Sequence, residues 1–315
     1  MKIVYVSDSR LPTEKAHGFT QSKMCESLGR LGVEIDLIKP RRRTWIGEDL
    51  FDWYGLDRVF GVKEVWWPDT INKWSRILRT VWVVLQVRKS GQIYMTRNHL
   101  TAKVMTKLGM KFLFEKHSPI RSSALGSCVG IYDATELGSP VDPKEFEGGE
   151  ARRLGKGKPV IGYVGNLRNQ KEDKGVGMIV KIAKEVGIDY VIISNLPRKE
   201  ALSWIKGLDA GFIGPLSEST HRGSGKAHPV KLREYMMAGV PVVAEREHIW
   251  PQPFFVLWTN GTLDDYVRLT AYAVEINPWW VAQAKKEALE WTWEKAGQKV
   301  VRLLETYQQQ IPRSG

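Results

Sequence analysis

Residues 228–245 read HPVKLREYMMAGVPVVAE. Pro229 suits the first turn of a helix, Gly239 its C′ position, and Pro241 stops any continuation. A helix is therefore expected over 229–238, with an apolar strand over 241–245 directly behind it. On that helix Lys231, Glu234 and Ala238 share one face, while Leu232, Tyr235 and Met236 are placed to pack against a sheet. The helix N-terminus offers free N–H groups and the positive end of its dipole, an anion site that Lys231 reinforces. Glu234, one turn deeper, can accept hydrogen bonds from a vicinal diol such as a ribose. The competing reading is an ordinary Lys/Glu pair on a solvated helix face.

Outward from this stretch the same alternation recurs, short apolar runs with helical patterns between them, which is the signature of parallel α/β architecture. In the first half, strands are expected near 2–7, 33–38, 61–66, 92–96, 111–115 and 129–132, with helices near 18–31, 71–88 and 100–108. In the second, strands are expected near 159–164, 189–194, 210–214, 241–245 and 254–257, with helices near 174–186, 198–206, 229–238, 263–275 and 279–308. Between the halves PKEFEGGEARRLGKGK loses all periodicity. The expectation is two tandem doubly wound domains, 1–142 and 159–315, joined by a linker over 143–158, with the last helix able to pack back on the first domain. Ligands of such sheets bind at the carboxyl ends of the strands, in the cleft between the domains.

The chain of 315 residues carries 47 lysines and arginines against 35 acidic residues, a formal charge of +12. That favours anionic partners or simply keeps a surface soluble. Two cysteines, Cys25 and Cys128, without metal-type spacing fit a reducing compartment. The opening MKIVYVSDSR is too short in its apolar run for a signal peptide. The apolar stretch VWVVLQV (81–87) falls far short of the ~20 residues of a membrane span. A cytoplasmic protein is expected, with peripheral membrane contact open.

Three other segments carry candidate chemistry. GYVGNLRNQKEDKG (162–175) turns on Gly165 after a strand and presents Arg168 and Lys174 before a helix, with Lys171 competing. Cations at such a crossover suit a pyrophosphate leaving group. Gly18 stands at the start of the first helix, where its missing side chain would let backbone approach a substrate. His117, in EKHSP, lies just past a strand end. HRGSGKAHPV tempts a P-loop reading, but Thr220 and Ala227 stand where that pattern needs a glycine and a hydroxyl residue.

Taken together, PVKLREYMMAGVPVVAE, IGYVGNL followed by KG, YMTRN with FEKHSP, SPVDPKEF and the closing LEWTWEKAGQKVVRLLETY resemble GT-B fold glycosyltransferases, nearest to the retaining family 4 enzymes. The resemblance implies a donor that is a nucleoside diphosphate sugar, UDP- or GDP-linked, with no cofactor and no metal. It implies that Glu234 holds the ribose, that Arg168 and Lys174 hold the diphosphate, that Gly18 lies near the donor phosphates, and that His117 contacts the transferred sugar. Two departures stand out: Lys226 replaces the first of the family's paired glutamates, and the PVKLREY form suggests that Lys231 takes part of the phosphate role. The acceptor (glycan, lipid or protein) is left open; nucleic acid is not favoured. Two rivals share these residues: a nucleotide-sugar epimerase of the same fold, and a degenerate transferase that binds membrane or nucleic acid through its basic surface. For the membrane version the helix TINKWSRILRTVWVVLQVRK offers cations beside apolar residues. Because VWVVLQV is apolar all round, enclosure within a domain is the expectation for it.

Overall fold

The expected strands form wherever an apolar run can be covered on both faces. The computed structural model describes residues 2–41, 46–66, 73–89, 92–117, 126–154, 157–167, 175–214, 229–246, 249 and 251–309. Contacts divide the chain into two units, Met1–Thr135 with Trp293–Gly315, and Glu136–Thr292.

The first unit contains β1 (Lys2–Val6), α1 (Ala16–Arg30), β2 (Glu34–Pro40), α2 (Leu50–Tyr54), β3 (Gly61–Val65), α3 (Lys73–Val87), β4 (Ile93–Thr96), α4 (His99–Lys107), β5 (Phe112–Lys116) and β6 (Cys128–Asp133). Its sheet runs β3-β2-β1-β4-β5-β6, with every pair parallel. Strand order therefore reverses between β1 and β4, the place where a doubly wound sheet opens for a ligand. On one face Val83 and Val84 of α3 and Ala102 and Met105 of α4 close over Val4, Val6, Phe112 and Phe114.

The second unit follows a short helix, α5 (Ala134–Leu137), and a 3-10 turn (Pro143–Phe146). It contains β7 (Val160–Val164), α6 (Val176–Val186), β8 (Asp189–Ile193), α7 (Arg198–Lys206), β9 (Ala210–Ile213), α8 (Val230–Ala238), β10 (Val242–Glu245), β11 (Leu257–Thr259), α9 (Leu263–Ala273) and α10 (Pro278–Ala288). The sheet order is β11-β10-β9-β7-β8, again all parallel. Here the reversal falls between β7 and β9. α11 (Trp293–Gln309) returns to the first unit and packs on α1 and β6.

Four expectations need correction. The stretch 143–158 is not a free linker, because Asp142 caps the 3-10 turn, Lys206 donates to the Gly148 carbonyl and Arg152 N–H donates to the Ser203 carbonyl at 2.9 Å. The chain instead changes units at 135/136 and 292/293. The helix expected over 279–308 is two helices, since Trp291 accepts from Val141 N–H at 2.9 Å and Thr292 bridges to Val141. The last strand lies at 257–259, later than expected, with Val243, Ala244 and Glu245 paired to it. Finally, the run 81–87 is enclosed on one side only. Val83 and Val84 are buried, whereas Trp82 and Leu85 are about half exposed, because α3 forms the outer layer with nothing packed outside it.

Two glycine contacts hold the chain crossings in place. Arg233 of α8 is buried with its guanidinium 4.4 Å from the Trp291 ring centre. A Cβ at Gly138, whose φ is +62°, would meet that guanidinium at 2.6 Å. In the first unit Ser27 Oγ donates to the Trp293 carbonyl at 2.6 Å, and a Cβ at Gly297 would meet Ser27 Oγ at 2.3 Å and Leu31 Cδ1 at 2.9 Å. Gly297→Leu should therefore push α11 off α1 and cost about 2–3 kcal/mol despite its better helix propensity. Thermal unfolding checks this; an unchanged midpoint would mean that α11 is not seated by this contact.

Candidate functional site

At the β7/β9 reversal the second unit brings together most of the described donor residues. α8 begins after Pro229 and ends at Gly239, whose φ of +78° is the left-handed cap expected from the sequence. Leu232, Tyr235 and Met236 are fully buried, and Val164 N–H donates to the Tyr235 hydroxyl at 3.2 Å, fixing α8 against the end of β7. Lys231 then reaches across the carboxyl end of β7, with its ammonium 4.7 Å from the Tyr163 ring centre. Gly165 is what permits this, because a Cβ there would meet Lys231 Cε at 2.1 Å. The glycine makes room for a lysine rather than presenting its own backbone to a ligand.

Lys231 and Glu234 share a face but do not pair. Among the described residues Lys231 makes no ion pair. Glu234, 4% exposed, receives the guanidinium of Arg198 at the start of α7 on its Oε1. The same Arg198 donates to Glu145 Oε2 from Nε at 3.1 Å and from Nη2 at 2.6 Å. Burial opposes the charge on Arg198, but the two carboxylates outweigh it and raise its pKa above the ordinary value. Neither Arg198 nor Glu145 had a role in the sequence reading. Glu145 lies in the SPVDPKEF motif, while Arg198 occupies a helix start that no pattern distinguishes from a surface cation.

The neighbouring strand end is tied in as well. Gly165 N–H donates to the Ile193 carbonyl at 2.8 Å, and Leu167 N–H donates to Ser194 Oγ at 3.2 Å. Asn195 follows with φ of +60°, and its buried Oδ1 lacks a partner among the described residues. An unusual backbone conformation beside an unsatisfied amide oxygen is typical of a site that a ligand completes. Arg168, Lys171, Lys174 and Lys226 lie outside the described residues.

The first unit has a polar cluster of its own at the carboxyl ends of β1, β4 and β5. His117 Nε2 pairs with Glu115 Oε1, and the Tyr5 hydroxyl donates to Glu115 Oε2. Burial alone would raise the pKa of Glu115, yet the charge and hydrogen bond of His117, the Arg97 guanidinium and the Tyr5 hydroxyl hold it down at about 2. Arg97 Nη1 donates to Thr20 Oγ1 at 3.0 Å, and Asn98 donates to Asp8. His17, at the start of α1, is depressed to about 4, first by burial and then by Arg97 and Lys15. Glu115 and Arg97 were both in quoted motifs, FEKHSP and YMTRN, without a role assigned. A carboxylate inside the apolar strand FLFEK was the available signal. Gly18 serves differently from the expectation: its missing Cβ is replaced by Thr13 Cγ2 and Tyr54 Oη, each 2.4 Å from where that atom would stand. The glycine is packed by the protein itself.

No protein-family model matches the sequence, and no curated protein matches it. Solved structures do match, over nearly their whole length. WaaG, a glycosyltransferase involved in lipopolysaccharide biosynthesis, aligns with a TM-score of 0.59 at 9% identity, covering 95% of this chain and 98% of that one. S. aureus TarM, solved with fondaparinux, α-GlcNAc-glycerol and UDP, aligns at 0.63 and 10% identity, covering 96% and 98%. A protein of Listeria monocytogenes provisionally assigned as a UDP-N-acetylglucosamine 2-epimerase aligns at 0.63 and 8%, covering 99% and 98%. At these identities the shared property is the fold, and it is the GT-B fold of two Rossmann-like domains.

The Glu115 cluster makes a pH-dependent contribution of known sign. A carboxyl held at about 2 when folded, against an ordinary value of 4.5, adds stability above pH 4.5 and loses it as pH falls from there towards 2. Glu115→Gln should therefore be less stable than the parent at pH 7 by on the order of 2–3 kcal/mol, and the difference should vanish near pH 2. Denaturant titrations of both proteins from pH 7 to 2 check this; a gap that does not depend on pH would remove Glu115 from the cluster.

Proposed function

We propose that the protein is a retaining glycosyltransferase that moves a sugar from a nucleoside diphosphate sugar, UDP- or GDP-linked, to an acceptor hydroxyl without a divalent metal. The observation that carries this reading is Lys231: a cation without an acidic partner among the described residues, held over Tyr163 at the N-terminal turn of α8, where strand order reverses. Such a position gathers an ammonium and free backbone N–H groups at the point where an α/β sheet receives its ligand.

Each residue then has a chemical task. The bond between the anomeric carbon and the diphosphate oxygen breaks with its electron pair going to that oxygen, so negative charge grows on the leaving group. Lys231 and the N-terminus of α8 meet that charge, and the sequence adds Arg168 and Lys174 on the loop after β7. These cations supply the electrostatic part that a metal would otherwise provide. Arg198 engages Glu234 at Oε1, leaving Oε2 without a partner among the described residues as the acceptor for a ribose diol. The acceptor hydroxyl attacks the face the diphosphate has left and passes its proton to the departing phosphate, which retains the anomeric configuration. The epimerase reading keeps the same donor site and needs no acceptor; the Listeria neighbour is the observation that favours it.

Thermal shift against UDP-, GDP- and ADP-sugars tests the donor class. A saturating donor at a hundred times its Kd adds about 2.7 kcal/mol to stability. No shift with any of the three overturns the proposal, and nucleotide release with no acceptor present selects the epimerase. Activity that disappears in EDTA and returns with magnesium or manganese overturns the metal-free part.

Two substitutions separate the roles. Lys231→Met should lower kcat by about a hundred- to a thousand-fold while changing donor affinity less, because the charge it faces is larger in the transition state. A change confined to KM would reduce Lys231 to a binding residue. Glu234→Gln should cost about 1.5–3 kcal/mol in binding UDP or GDP and little in binding the 2′,3′-dideoxy analogue. Calorimetry that finds equal losses for both would show that Glu234 does not hold the ribose.

A further inference from the structure

The net charge of the protein is concentrated in one unit. Residues 1–135 with 293–315 carry 26 lysines and arginines against 15 acidic residues, a formal charge of +11, whereas residues 136–292 carry 21 against 20, or +1. A general solubility charge would not be divided this way, and the donor chemistry proposed above belongs to the nearly neutral unit.

The exposed apolar surface of the first unit is also concentrated. Leu78, Trp82 and Leu85 recur at helical spacing along the outer face of α3 and are 69%, 50% and 47% exposed. α4 packs beside α3 in the same layer and turns Lys103 and Lys107 outward, with Lys111 exposed just beyond it. α3 itself runs out into exposed Arg88 and Lys89. Among the described residues none of these five cations has a carboxylate partner. Arg88, Lys89 and Lys111 also line one cavity of 360 Å³ together with Tyr94, Met110 and Tyr307. An apolar stripe containing a tryptophan, bordered by unpaired cations and ending in a basic, tyrosine-lined cavity, has the layout of a surface that lies on an anionic bilayer. The leucines and the indole enter the boundary between headgroups and acyl chains, the lysines meet lipid phosphates, and the cavity admits a headgroup. We propose that the outer face of α3 and α4 docks the protein on membranes rich in anionic phospholipid. Contact of this kind needs no spanning segment, and no helix of the described residues is long and apolar enough to be one.

Co-sedimentation with vesicles tests it. The protein should pellet with phosphatidylcholine vesicles containing 30–40% phosphatidylglycerol, roughly the composition at which polybasic surfaces bind, and stay in the supernatant with pure phosphatidylcholine. Trp82→Ser leaves the charge unchanged and lies on an exposed face, yet should weaken partitioning about tenfold. The triple variant Lys103→Glu, Lys107→Glu, Lys111→Glu should abolish it. The matched variant Lys181→Glu, Lys184→Glu, Lys286→Glu, with the same total charge but its changes in the second unit, should bind as the parent does. Three results would overturn the proposal: no binding to anionic vesicles, equal loss in both triple variants, or full binding by Trp82→Ser. Sedimentation velocity covers the other possible occupant, because a concentration-dependent dimer that Trp82→Ser dissociates would assign the face to a second copy of the chain instead.

Discussion

Arg198 is held between Glu145 and Glu234 in a part of the second unit from which water is largely excluded, and much of the local arrangement follows from that. Three buried charges are costly to bring together unless each satisfies the others, and removing one partner from such a cluster typically costs about 3–5 kcal/mol. The cluster therefore ties three separate pieces of chain: the 3-10 turn that carries Glu145, the first residue of α7 and the middle of α8. It also explains why Lys231 is available. A lysine three residues from a glutamate on one helix would ordinarily pair with it, but Glu234 already has a stronger, forked partner in Arg198. Lys231 is left to extend over Tyr163 and the bare Cα of Gly165.

The first unit solves a comparable problem with a different result. Glu115 is as buried as Glu234, and it is kept ionised by His117, Arg97 and the Tyr5 hydroxyl. Here the cations sit around a single carboxylate at the carboxyl ends of the strands, so the cluster presents an imidazole and a guanidinium rather than a lone ammonium. Both clusters stand where strand order reverses, since that is where two adjacent loops diverge and leave side chains of a buried sheet reachable from one end. In each case charge is stored by pairing around a carboxylate, and what differs is which member of the set remains outside the pairing.

The sequence made the sheets legible because parallel strands covered on both faces are apolar runs without alternation, and nearly all of the strands fall within a few residues of where those runs lie. α2 was missed although Asp49 accepts from Asp52 N–H and Gly55 closes it at φ +62°; five residues are too few for periodicity to register. The boundaries of the units were misplaced for a related reason. A stretch without apolar period reads as a linker, whereas 143–154 is fastened by a cap, a lysine and a backbone hydrogen bond, none of which needs hydrophobic spacing. The break between α10 and α11 was invisible because the apolar pattern continues through it. At the site, Lys231, Glu234 and Gly165 were identified from their positions on a helix and a turn, which are local properties. Arg198 depends on a partner 36 residues away, and Gly18 on Tyr54, another 36 residues along. Such pairings have no signature in a single sequence.

The uneven distribution of charge bears on how the two units use electrostatics. In the second unit the net charge is close to zero, so attraction for a diphosphate cannot come from a general field and must come from a few cations at short range. Lys231 is partly buried and lies against an aromatic face, where surrounding salt screens it weakly. In the first unit the excess is spread over exposed lysines and arginines, which act over about one Debye length, ~10 Å at 0.1 M salt, and are screened readily. Ionic strength therefore affects the two units differently: it leaves a short-range anion site largely intact while weakening a diffuse basic surface. Apolar contacts along α3 counter that loss, because burial of Trp82 and Leu85 does not depend on salt in the same way, so a surface that combines both retains part of its hold under conditions where charge alone would release it.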